Sequence, residues 1–100
     1  MRSVKYARRA SADLEDITDY TAQTWGAEKA KKYTKDIRAK MEEIVEGEAS
    51  IEPMDVGRAG MFKARVNRHL IIFEQTDKHI LIIRILHDAM DIPRHIGPPH

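Results

Sequence analysis

The sequence predicts an α+β domain of order β-α-α-β-β-β, in which a helical hairpin packs on an antiparallel four-stranded sheet. Three observations carry this. Apolar residues recur at helical spacing from Leu14 to Val45, and the period changes to strict alternation at Phe62. Glycines and short polar turns separate the runs. The 100 residues suffice for one modest core and leave no room for a separate cofactor domain.

Val4–Arg8 reads as a short first strand. Ser11 reads as the N-cap of the first helix, with Asp13, Glu15 and Asp16 near its positive end. Leu14, Ile17, Thr21 and Trp25 form one stripe, with Trp25 as a core anchor, and Gly26 ends the helix. The second helix runs over Ala27–Glu46 on a stripe of Ala30, Tyr33, Thr34, Ile37, Met41, Ile44 and Val45, and Gly47 stops it. Residues 48–60 are a loop. Phe62, Ala64 and Val66 then alternate with Lys63, Arg65 and Asn67, which marks a half-buried strand. A turn at Asn67–Arg68 leads to a strand over Leu70–Gln75, and one at Thr76–Lys78 leads to the most hydrophobic strand, His79–His87. Apolar side chains on both faces of these two strands place them centrally. Arg84 is expected beside Ile80, Ile82 and Leu86 on the face away from the helices. A helical turn at Ala89–Met90 is expected, with the domain covering 1–96 and a flexible tail at 97–100.

Composition narrows the function. There is no cysteine, so no disulfide, thiol nucleophile or cysteine-based zinc site is available, and a cytoplasmic setting is expected. The basic start MRSVKYARRA has no apolar run after it and is not read as a secretory signal. The longest apolar stretch, Ile80–Leu86, is too short for a membrane span. A formal net charge of +1 argues against direct, specific DNA binding. That average hides a segregation: purely basic at 1–10, purely acidic at 11–26, mostly basic at 27–40 (six Lys/Arg against Glu28 and Asp36), purely acidic at 41–55 and purely basic at 56–70. Such blocks suit distinct faces for distinct partners, or simply solvated faces and helix-dipole complementation.

Arg84 is the sharpest anomaly in an otherwise aliphatic run. An arginine there must be paired, ligand-facing or at a rim. It is either a clamp for phosphate or carboxylate, or one half of a salt bridge to Glu74, Asp88 or Asp91. Lys63, Arg65 and Arg68 with Arg84 would make a cationic groove suited to an RNA backbone or an acidic protein segment. His87 is the histidine best placed for proton transfer, but it lies three residues from Arg84 on a strand and so points to the other face. Capping the strand or pairing with Asp91 is its alternative role. The five histidines make no HxH or HExxH pattern, and neither metal nor cofactor is expected.

Two blocks carry a resemblance over nearly the whole chain. ADLEDITDYTAQTWGAEKAKKY (12–33) is similar to the helical hairpin of ParE toxins, with its DL..I..Y....WG..A..Y spacing. RHLIIF, followed by IRILHDAMD and RH, closely resembles the ParE branch of the RelE/ParE superfamily. The resemblance implies a bacterial type II toxin that inhibits DNA gyrase without catalysis and is neutralised by a ParD-type antitoxin in a higher-order hetero-oligomer. The RelE branch instead cuts messenger RNA in the ribosomal A site, using basic residues across the sheet and commonly a C-terminal tyrosine. Arg65, Arg68 and Arg84 fall near such basic positions, and with His87 they form the set an endonuclease would use. The stretch 85–91, ILHDAMD, has no tyrosine, which favours the ParE reading. Lys63, Arg65, Arg68, Arg84, Met90, Asp91, Arg94 and His95 are the expected target or antitoxin contacts. The antitoxin is expected to lay a helix along the hairpin or add a strand to a sheet edge, with Met41, Met54, Met61 and Met90 as adaptable contacts.

Overall fold

The computed structural model describes residues 3–55 and 59–88. Its elements are β1 (Ser3–Tyr6), α1 (Arg8–Trp25), α2 (Ala27–Glu46), β2 (Glu52–Pro53), β3 (Met61–Val66), β4 (His69–Gln75) and β5 (His79–His87). The sheet has five strands in the order β1-β5-β4-β3-β2. All neighbours are antiparallel except β1, which runs parallel to β5.

Two expectations about the sheet change. The additional strand is β2, a two-residue edge piece whose Glu52 and Pro53 pair with Lys63 and Phe62. It has no alternation to advertise it, and a proline suits an edge because its missing N–H costs no ladder bond there. The traverse by β2 also reverses the chain once more, so that β5 returns parallel to β1 rather than antiparallel. The central position expected for β4 and β5 holds.

Both helices cover one face, α1 over β5 and α2 over β3. The main core joins Ala10, Ile37, Met41 and Ile44 of the helices to Ala64, Val66, Ile71, Phe73, Ile80, Ile82 and Ile85 of the sheet. On the opposite face Met61, Leu70, Ile72 and Leu86 form a smaller buried cluster with Met54 and Ile83 against it. The strand parity breaks within β5: Phe73 pairs with Ile82 while Ile72 pairs with Arg84, a bulge that leaves Ile83 over. Ile80 and Ile82 therefore face the helices together with Ile85, and Leu86 faces away. The expected grouping of Ile80, Ile82 and Leu86 with Arg84 on one outer face does not form.

Helix ends follow local chemistry. Gly47 takes φ 77° in the left-handed region and returns its N–H to Glu43 and Ile44, closing α2 where a Cβ would be strained. The α1 start is four residues earlier than the Ser11 cap predicts, with Ala7 as the N-cap. Ala7 bonds its N–H to the Ile82 carbonyl (2.8 Å), and its own carbonyl accepts Ala10 and Ser11 N–H, so backbone groups alone open the helix. The hairpin is pinned by the Thr18 and Thr34 hydroxyls, 2.8 Å apart. Trp25 is no core anchor. At the hairpin tip it is 66% exposed, because the chain turns at Gly26 before its ring can reach the sheet. The segment from Ala89 onward, with the predicted turn at Ala89–Met90 and the tail at 97–100, lies outside the described residues.

Candidate functional site

At the end of the sheet where β3 turns into β4 and β5 stops, a polar cluster assembles from α2, β3, β4 and β5 and the turn residues beside them. The turn residue Asn67 adopts φ 54°, a conformation Asn tolerates, and its side-chain amide donates to Asp36 of α2 (3.2 Å). The next backbone N–H, of Arg68, donates to the Tyr33 hydroxyl (3.3 Å). That phenol also shares a hydrogen bond with Nδ1 of His69. His69 is cross-strand from His87, with the rings edge-on at 5.3 Å. Asp88 then closes the group. Its Oδ2 accepts from Arg65 Nη1 (2.9 Å) and lies 3.3 Å from Arg68 Nε, and its Oδ1 is 3.3 Å from His87 Nδ1.

The electrostatics follow from these contacts. The Arg65 hydrogen bond, reinforced by the Arg68 charge, holds the Asp88 carboxyl below the usual carboxylate range. The Asn67 amide does the same for Asp36, with Lys32 adding to it. Burial pushes the Tyr33 phenol up. Burial, and then the neighbouring His87, push His69 below the ordinary imidazole value. The folded state therefore binds a proton at His69 less readily than the unfolded chain. Stability is expected to be level above about pH 6.5, the free imidazole value, and to fall as pH drops from there towards the lower folded value. Urea midpoints between pH 7.5 and 5 should show this slope, and His69→Gln should flatten it. An unchanged slope in the variant would assign it to other groups.

Arg84 sits outside this cluster. Its Nε and Nη2 donate to the two carboxylate oxygens of Asp13 at 2.8 and 3.0 Å, a bidentate pair. Asp13 Oδ2 also accepts the backbone N–H of Ile85 at 2.9 Å. The reason lies in strand length: β1 ends at Tyr6 opposite Ile82, while β5 continues to His87. Beyond Ile82 the edge of β5 has no neighbouring strand, and α1 supplies Asp13 to its open N–H. The Asp13 bond holds Arg84 more firmly protonated than usual. Its side chain and that of Asp13 are only 13% and 14% exposed.

The structure thus brings together Arg65, Arg68 and His87 and leaves Arg84 apart. The salt-bridge reading of Arg84 holds, with Asp13 as partner in place of Glu74, Asp88 or Asp91. His87 contacts Asp88, and Asp91, its expected partner, lies outside the described residues with Met90, Arg94 and His95. Lys63 shares the strand parity of Arg65 and Met61, on the face away from the helices. Tyr33, His69 and Asp88 cannot be read as one site from the sequence, because α2 and the strand ends that hold them are far apart in the chain. Asp36–Asn67–Tyr33 is legible only once α2 is laid across the turn. Among the described residues no group of three or more His, Asp or Glu side chains is arranged to hold a metal. No helix among them is long and apolar enough to cross a membrane.

A second feature lies on the hairpin side of the β1 edge. An open groove of about 400 Å³ runs past Leu14, Thr18, Thr34 and Asp19. It shares Tyr6, Arg38 and Met41 with a neighbouring groove of about 490 Å³ lined by Val4, Glu42 and Val45. Tyr6, 48% exposed, stands between them.

A two-helix layer on one face of a mostly antiparallel sheet is a fold shared with solved toxin–antitoxin proteins. The solved chromosomal ParDE toxin–antitoxin system from P. aeruginosa has this fold, with TM-score 0.72 and 28% identity over 87% of this chain and 96% of that one. The E. coli DinJ-YafQ complex matches in fold alone, at TM-score 0.66 and 18% identity over 89% of this chain and 96% of that one. Toxin ParE1 of Caulobacter vibrioides is 35% identical over 97 residues, covering 97% of this chain and all of that protein. The family model for the ParE toxin of the type II toxin-antitoxin system parDE matches residues 4–92. The chain belongs to the ParE toxin family.

Proposed function

We propose that this toxin acts in the cytoplasm by binding DNA gyrase rather than by catalysis, and that a ParD-type antitoxin holds it inactive. One observation carries the non-catalytic reading: the set a nuclease would need is divided. Arg84, which would face the scissile phosphate, has its Nε and Nη2 engaged by Asp13 and its side chain largely buried. Family membership supplies the expectation of a gyrase target. The hairpin groove beside Tyr6 suits an amphipathic segment of the antitoxin, with apolar Leu14, Met41 and Val45 beneath and Arg38, Asp19 and Glu42 at its margins. A higher-order hetero-oligomer with the antitoxin follows from the same reading. A gyrase supercoiling assay with the purified toxin tests the target. Inhibition or accumulation of cleaved DNA complexes is expected, and undisturbed supercoiling at micromolar toxin refutes it.

The rival reading, a ribosome-dependent messenger RNA endonuclease, draws on the gathering of Arg65, Arg68 and His87 about Asp88. It requires codon-spaced cuts in translated messages. Their absence while growth is arrested leaves gyrase binding as the account.

A further inference from the structure

The two arginines at the sheet end share one carboxylate oxygen and are otherwise little used. Arg65 engages Asp88 Oδ2 through Nη1 and Arg68 engages it through Nε, at 2.9 and 3.3 Å. A guanidinium carries five N–H donors, so most of each fork points elsewhere. The direction is outward. The arginine side chains are 59% and 72% exposed, whereas that of Asp88 is 18% exposed, so the carboxylate lies inside and the guanidinium groups lie outside it. Two positive charges meet one negative charge at this carboxylate. An ordinary surface ion pair is balanced and loosely held. This one is neither.

Its backbone is fixed from two sides. Asn67 is tied to Asp36 of α2, the Arg68 N–H is tied to Tyr33 of α2, and the Arg68 carbonyl accepts Asp88 N–H at 2.9 Å. Arg68 therefore leaves a fixed turn and Arg65 a strand position paired with Leu70, which lowers the ordering cost of binding. The occupant already present is a carboxylate, which shows the chemistry the pair accepts. A nucleic acid would call for a stacking surface beside the cations. The exposed large aromatics among the described residues, Tyr6, Tyr20 and Trp25, lie outside this cluster, and the half-exposed ring of His87 is edge-on to His69 and engaged at Asp88.

We infer that Arg65 and Arg68 form a carboxylate-accepting site for an acidic segment of a partner protein, with Asp88 as its internal placeholder. The inference deepens the antitoxin reading, on which it rests for the source of that segment. A partner carboxylate takes the outward donors of both forks while Asp88 holds the inner ones, or it displaces Asp88 outright.

The test uses the purified toxin and acetylated, amidated hexaglutamate, followed through the arginine Nε–Hε and backbone signals in ¹H–¹⁵N spectra. Saturable shifts are expected at Arg65, Arg68 and His69. The Asp88→Asn variant, freed of its internal competitor, should bind about tenfold more tightly, the equivalent of one charge-assisted hydrogen bond. The exposed change Arg68→Gln leaves the fold intact and should weaken binding by at least about tenfold on the same scale. Shifts confined to Lys29, Lys31 and Lys35 of α2, or equal binding by Arg68→Gln, overturn the site. An Asp88→Asn variant that melts like the parent but binds no better overturns the placeholder. A stronger response to hexauridylate than to hexaglutamate makes nucleic acid the occupant and also overturns the assignment. Capture by the antitoxin separates the two readings. A wild-type-strength complex with Arg65→Gln/Arg68→Gln overturns this site alone, and no complex with the parent removes the antitoxin reading while hexaglutamate still decides the site.

Discussion

Asp13→Ala is expected to cost about 2–4 kcal/mol of folding stability, nearer the low end of what one partner of a buried pair is worth because both side chains retain slight solvent contact. The loss has three parts. Arg84 keeps its charge at a largely buried place without a counter-ion, its two donors lose their acceptors, and the Ile85 N–H at the open edge of β5 goes unsatisfied. Asp13→Asn should cost less, since its carbonyl oxygen still accepts the Ile85 N–H. The double change Asp13→Leu/Arg84→Met should be milder than Asp13→Ala, because no charge is stranded. Urea unfolding of the four proteins checks the order, and an Asp13→Ala loss below about 0.5 kcal/mol, the range of an ordinary surface substitution, would refute it. The same pair decides how Arg84 mutants are to be read. Arg84→Ala should lower toxicity in step with the folded fraction, whereas a nuclease arginine would abolish activity with the fold intact.

That pair also shows where sequence reasoning stops. Arg84 stands out at once against its aliphatic neighbours, and the need for a partner follows from the cost of burying a charge. The identity of the partner does not follow, since Asp13 is separated from it by the whole hairpin and three strands and reads locally as an acid in the first turns of a helix. Local punctuation was the most legible layer. Gly26 and Gly47 bound α2 as predicted, and the turn at Asn67–Arg68 and the bounds of β5 also hold. What local pattern cannot show is a feature set by a neighbouring chain segment. The bulge at Ile83 depends on how β4 and β5 register, and it reassigns the faces of every later residue. β2 exists only because β3 has an edge to offer. The polar cluster is of the same kind: Arg65, Arg68 and His87 were visible as polar residues at strand ends. The periodicity of α2 places Tyr33 on its apolar stripe. Its ring does pack against the core, while its hydroxyl leaves it for Arg68 and His69.

The largest expected effect lies in the core. Phe73 is fully buried at the middle of β4, with its ring stacked on Phe62 at 5.9 Å. Phe73→Ala removes that contact and leaves a cavity between α2 and the sheet, where Ile37 and Ile44 cannot shift without disturbing the rest of the main cluster. A cost of about 3–5 kcal/mol is expected. Against the roughly 5–15 kcal/mol that holds a domain folded, this leaves a protein near its threshold. Phe73→Leu fills most of the space and should cost about 1.5 kcal/mol or less. The consequence for function is a conditional phenotype. A partner that binds only the folded toxin adds about 2.7 kcal/mol at a hundred times its dissociation constant. Expressed alone, Phe73→Ala should be largely insoluble and harmless, and together with its antitoxin it should be recovered as a soluble complex. Soluble yield with and without the antitoxin, beside the urea midpoint of Phe73→Leu, measures both halves. A soluble, fully toxic Phe73→Ala protein would show that the core under α2 carries far less of the stability than its burial indicates.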